Sequence, residues 1–232
     1  MTTDAQKEME VYFAEKASEN LGEIWIVKPS PDEKEWPDLL VTHESKEFGL
    51  EVRELYPDES RKGSKKRAIE SRNHQAINSI AEKYYEISEN TIKVDFLGNI
   101  ENEDAILSEL KTVESDLGDF EHVRLEPYRG LVVHVTKLPS KLGKYKRWAY
   151  VSDEVGWVGE LTNEKIQEKV NEKSKEIEKY SKNLSDVRLL LVCNRRLNSG
   201  KFTYAPSGAI DCGGFKEIYF LSYPDSVFRI NS

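Results

Sequence analysis

Trp36-Pro37-Asp38-Leu39-Leu40-Val41, followed after a short polar stretch by Phe48-Gly49-Leu50-Glu51-Val52-Arg53-Glu54-Leu55, decides how this chain is read. Val41 and the alternating Phe48, Leu50 and Val52 have the period of two that belongs to strands, and residues 43–47 are a polar connection suited to a turn. The two strands are therefore expected to form a hairpin. Asp38 opens the first strand and Glu51 lies within the second, so the hairpin brings two carboxylates together. Two carboxylates, a backbone carbonyl and waters make the hard, oxygen-rich shell that magnesium prefers.

This pattern resembles the PD-(D/E)xK nuclease superfamily, whose signature is Pro-Asp at the start of one strand and Glu-x-Lys on the next. The residues that carry the resemblance are Pro37, Asp38 and Glu51, with Arg53 where the family has lysine. The resemblance implies a single restriction-endonuclease-like domain over residues 1–232, with an insertion around residues 92–160. Its fold class would be α/β, a three-layer α/β/α arrangement with a mixed central sheet. The implied activity is Mg2+- or Mn2+-dependent hydrolysis of phosphodiester bonds, in DNA first of all, in a restriction, repair or defence role. Asp38, Glu51 and the Val52 carbonyl would ligate the metal, which lowers the pKa of its water and neutralises charge on the phosphate.

Arginine stays protonated and is no base, so Arg53 is expected to hold a phosphate oxygen with its fork. In some branches of the superfamily the missing lysine reaches in from a helix. Lys173 is the candidate here, with Lys169 and Lys175 as rivals; a lysine-rich helix leading to Tyr180 before a buried strand is a further likeness to restriction-endonuclease-like proteins. Many members also carry an acid on the first helix, for which Glu10 is the candidate and Glu8 nearly as good. The alternative is a catalytically inactive protein on the same scaffold that binds nucleic acid or a protein partner, for which Arg53 and the acidic balance of the chain argue. Cutting both strands of a duplex would favour a homodimer.

At 232 residues, 38% hydrophobic and 33% charged, the chain has enough apolar material for one generous domain core, with or without an insertion. No apolar run approaches the length of a membrane span, and the first twenty residues are too polar for a secretory signal, so a cytoplasmic location is expected. Cys193 and Cys212 stand alone, which suits buried thiols rather than a zinc site. The net charge of −8 excludes a uniformly basic surface but not a local basic groove. Arg61, Lys62, Lys65, Lys66 and Arg67 form one basic run after the hairpin, and Lys141, Lys144, Lys146 and Arg147 form a second. His43, His74, His122 and His134 are scattered, without His-Glu-x-x-His or Cys-His spacing. Gly213-Gly214 lacks the strand-to-helix context of a P-loop and reads as a turn, and no Gly-x-Ser-x-Gly elbow is present.

Periodicity places helices over residues 3–20, 68–88, 105–117 and 163–180. Met9, Phe13 and Ala17 line the first, and Ile166, Val170, Ile177 and Tyr180 the last. Strands are expected over residues 23–27, 92–97, 131–136, 148–151 and 217–222, with residues 56–66 an exposed loop. The continuous apolar run Leu189-Leu190-Leu191-Val192 belongs to a sheet centre, beside residues 50–55. That pairing would carry the preceding helix over the two carboxylates.

Overall fold

The computed structural model describes residues 4–31, 35–60, 63–113, 117–151, 159–204 and 208–230. Arg61 and Lys62 of the first basic run lie outside the described residues. The chain divides into two compact units, one of Met1–Ser64 with Trp157–Ser232 and one of Lys65–Gly156. In chain order the first unit begins with α1 (Asp4–Leu21), β1 (Ile26–Pro29), β2 (Leu39–His43) and β3 (Lys46–Glu54). The second holds α2 (Lys65–Ile87), β4 (Ile92–Gly98), α3 (Glu103–Val113), β5 (His122–Tyr128), β6 (Leu131–Lys137) and β7 (Ala149–Val151). The first then resumes with β8 (Gly159–Leu161), α4 (Asn163–Ser174), α5 (Ile177–Tyr180), β9 (Val187–Asn194), β10 (Phe202–Tyr204), β11 (Ile218–Tyr223) and β12 (Ser226–Ile230).

The fold is mixed α/β. The larger sheet runs β1-β2-β3-β9-β11-β12, and its two inner junctions, β3 with β9 and β9 with β11, are parallel while the rest are antiparallel. A parallel pair needs a long connection. Between β3 and β9 that connection includes α4, as the apolar run in β9 led us to expect.

β9 is buried on both faces, which is why it reads as an unbroken apolar run rather than an alternating one. Leu190 and Val192 join Phe13, Ala14 and Ala17 of α1 in one core, together with Leu39, Val41, Phe48, Leu50 and Val52. Leu189, Leu191 and Cys193 join Ile166 and Val170 of α4 in the other, together with Ile218 and Phe220. The sheet thus has helices on each face. Met9, expected on the α1 stripe, is exposed instead, and the inner stripe is completed by Ala14. Trp25 is buried edge-on against Phe48 and Tyr219.

The expected single helix over residues 163–180 is two. Thr162 caps the start of α4, accepting a hydrogen bond from the Lys165 amide at 3.5 Å. At the other end the Ser174 hydroxyl bonds back to the Val170 carbonyl at 2.7 Å, and Gly213, in the left-handed region at φ +57°, packs directly against Ser174. A side chain at Gly213 would collide there, so the turn abuts the helix just where it breaks.

In the second unit the sheet order is β5-β6-β4-β7, with β7 the one parallel partner. Alternate residues Ile92, Val94 and Phe96 of β4 and Leu131, Val133 and Val135 of β6 pack with Ile77, Ile80 and Tyr84 of α2 and Ile106 and Leu110 of α3. Trp148 closes this core, donating its indole N–H to the Ile92 carbonyl at 3.0 Å. Among the described residues, no helix is long and apolar enough to cross a membrane.

Candidate active site

The hairpin register sets the site. Leu39 pairs with Leu50 and both face the α1 core, so the next residue along each strand, Asp38 on one and Glu51 on the other, turns to the opposite face. Glu51 and Arg53 pair in register with Leu189 and Leu191, which fixes them on the α4 side. Gly49 lies on that face too. A Cβ there would meet the Pro37 ring and come within 2.7 Å of Leu184, so the absence of a side chain is what lets Pro37 seat and hold Asp38 beside Glu51.

Asp38 is fixed by the backbone as well. The Val52 amide donates to Asp38 Oδ2 at 2.8 Å. Because the amides of Gly49 and Leu55 are bonded on the β9 side, Val52 turns its amide and its carbonyl to the other edge, toward Asp38. The Val52 side chain points away, into the α1 core.

Lys173 arrives from α4. It lies seven residues after Ile166 and three after Val170, on the stripe that α4 turns to the sheet, so its stem runs inward and its ammonium donates to Glu51 Oε1. Lys169, one turn earlier, stands 3.2 Å from Glu59 Oε2 and 3.1 Å from Glu172 Oε2. Arg53 pairs with Glu59 Oε1, and its guanidinium is 3.8 Å from Glu172. Lys165 ties α4 to the segment after β3 through the Pro57 carbonyl at 3.1 Å. Lys175 is exposed and takes no part.

Burial and the field of Glu51 push the Asp38 carboxyl up from 3.8 to about 7, with Glu10 raising it further and the Val52 amide and Lys173 opposing the shift. Glu10 thereby belongs to the electrostatic neighbourhood of Asp38, while Glu8 is exposed on α1. Burial pulls Lys173 down, but Glu51 and Asp38 outweigh it and hold the amine protonated above its ordinary range. Burial, then Glu51, raises the Tyr180 phenol so that it too keeps its proton. Glu51 Oε2, fully buried, accepts no hydrogen bond.

A buried carboxylate oxygen without a donor is costly. Here it stands beside a second carboxylate that already resists ionisation, and acids outnumber cations in the cluster. That donor set suits a hard cation. Among the described residues no three His, Cys, Asp or Glu side chains come together as a metal-holding group, so the side-chain ligands available are Asp38 and Glu51. Glu59 and Glu172 were not anticipated from the sequence. Glu59 sits in what reads as an exposed loop, yet its side chain is 11% exposed because Arg53 and Lys169 enclose it. The one signal for it was Arg53, a strand cation on a buried face that requires a nearby acid.

Comparison with known proteins found no match among family models, curated proteins or solved structures.

Proposed function

We propose that this protein is a metal-dependent nuclease with a three-layer, restriction-endonuclease-like catalytic unit of the PD-(D/E)xK kind, acting on DNA. The observation that carries the reading is the meeting of Asp38, Glu51 and Lys173, from the start of β2, the middle of β3 and the inner stripe of α4. Lysine absent from the strand position is supplied from the helix. The orphaned Glu51 Oε2 and the raised Asp38 support Asp38 and Glu51, with the Val52 carbonyl, as the groups that would hold Mg2+ or Mn2+. When bound, such an ion supplies Lewis acidity toward a phosphodiester oxygen.

The chain's own groups do the remaining work. Lys173 is an ammonium in the field of two carboxylates, suited to donating a hydrogen bond to a phosphate or leaving oxygen rather than to taking a proton from water. Arg53 is clamped by Glu59 and lies near Glu172 of α4, so it braces α4; reaching a phosphate requires release from Glu59. Glu10 adds negative potential behind Asp38.

The test is cleavage of supercoiled and linear DNA with Mg2+ or Mn2+. Wild type should cut, and Asp38→Asn and Glu51→Gln should each lower the rate by about 100-fold or more, the scale at which essential electrostatic groups act. A folded wild type that leaves DNA and RNA intact in either metal refutes the proposal. One observation favours the second reading, a noncatalytic binding protein: Arg53, Lys169 and Lys173 already pair with Glu59, Glu172 and Glu51. Under that reading nucleic acid is bound, never cut, and metal changes nothing.

A further inference from the structure

The 25 residues Pro127–Val151 contain six Lys or Arg and no Asp or Glu, in a chain with 42 acidic residues and a net charge of −8. Four of the six, Lys141, Lys144, Lys146 and Arg147, fall in the connection between β6 and β7, and all four are exposed. None of the four forms an ion pair among the described residues. Elsewhere in the second unit the pattern differs: Lys83 is held by Glu103 at 2.6 Å and Lys93 by Asp95 at 2.8 Å.

The loop is also stiff where it matters. The Thr91 hydroxyl donates to the Gly143 carbonyl at 2.8 Å, the Tyr85 hydroxyl to the Tyr145 carbonyl at 2.9 Å, and the Leu138 amide to the Thr91 carbonyl at 2.8 Å. Lys144 is itself part of this bracing, reaching the Tyr85 carbonyl at 3.1 Å. Half-buried Tyr145 and buried Trp148 anchor the loop in the core of the second unit. Its backbone is therefore pinned while Lys141, Lys146 and Arg147 project into water. A partner meeting a preordered row of cations loses less entropy than one that must order it.

We propose that this β6–β7 loop is a docking surface for the sugar-phosphate backbone of a nucleic acid, gripped chiefly by Lys141, Lys146 and Arg147. The inference deepens the nuclease reading, resting on it for the bound polymer being a substrate. Charge complementarity selects the partner: a phosphate backbone can engage a short row of three cations alone, whereas stable contact with an anionic membrane needs an apolar anchor as well. Leu142 is the one large apolar side chain exposed in the loop, too little to insert in a bilayer.

The experiment is fluorescence anisotropy of the full chain with labelled duplex DNA, single-stranded DNA and RNA of about 20 nucleotides, in chelator, across salt. The variant is Lys141→Gln/Lys146→Gln/Arg147→Gln. Expected is a log–log salt slope shallower by about 2 to 3 and affinity lower by about tenfold or more near 0.1 M salt. Lys141→Arg/Lys146→Arg, which keeps the charge, should bind like wild type, and matching thermal unfolding of all three proteins excludes misfolding. Binding by the Gln variant within about twofold of wild type for every probe overturns the proposal, as does wild type that prefers anionic vesicles to all three nucleic acids. Chelator separates the two readings. Lost binding with no metal-dependent cutting by wild type leaves the surface standing and removes the nuclease; undiminished binding with active cutting does the reverse.

Discussion

Replacing Asp38 with Asn should make the protein more stable, and only above acid pH. The native carboxyl titrates near 7 rather than at 3.8, so the folded state holds its proton over a range in which the unfolded chain has lost it. Between those limits the unfolded state binds fewer protons, and stability falls as pH rises. Each pH unit corresponds to about 1.36 kcal/mol, giving a ceiling of about 4 kcal/mol of destabilisation above pH 7. Asn imitates the neutral acid: its amide oxygen still accepts from the Val52 N–H, and its NH2 faces Glu51 instead of repelling it. Solvent reaching a half-buried site and relaxation around the new amide reduce the gain to about 1–3 kcal/mol. Denaturant unfolding of wild type and Asp38→Asn at intervals from pH 4 to 8 reads this directly. The difference should be near zero at pH 4, grow through pH 5 to 7, and level off. A constant difference across that range, or a variant less stable than wild type at pH 8, would refute the electrostatic account of Asp38.

Removing the ammonium in Lys173→Met leaves Glu51 buried without its partner and should cost about 3 kcal/mol in denaturant unfolding, whereas Glu51→Leu/Lys173→Met should recover most of it. Gly49→Ala forces a methyl into Pro37 and Leu184 and should cost about 1–3 kcal/mol while also weakening metal binding, because Pro37 carries Asp38. Glu59→Gln frees one side of Arg53; DNA affinity in chelator should rise if that guanidinium then meets phosphate, and an unchanged affinity would confine Arg53 to bracing α4.

The hairpin and the central strand were legible because burial imprints itself on local pattern. β3 is buried on both faces over Phe48–Val52, but only the face toward α1 is apolar, Gly49 and Glu51 standing on the other, and that gave it its alternation; β9 is apolar on both faces, which gave it its unbroken run. β5 was not legible: of its seven residues only Leu125 is fully buried, and Arg124 and Glu126 pair with each other on the exposed side, masking the period. The break between α4 and α5 was hidden for another reason, since the turn that packs on Ser174 comes from Gly213, far along the chain. At the site, Asp38 and Glu51 stood out because their spacing follows hairpin register. Lys173 left a fainter mark, a cation on the stripe of Ile166 and Val170, where an apolar residue is expected. Glu59 left almost none, because its burial is made by Lys169, which only the folded sheet brings to it.

The central claim is that Asp38 and Glu51 form one cation-binding site, and Mn2+ titration by calorimetry addresses it without reference to any substrate. Wild type should bind the ion at a single site, with affinity that strengthens as pH rises through 7, and both Asp38→Asn and Glu51→Gln should abolish the heat. A wild type that gives no binding heat at pH 8, or variants that bind Mn2+ as well as wild type does, would contradict it.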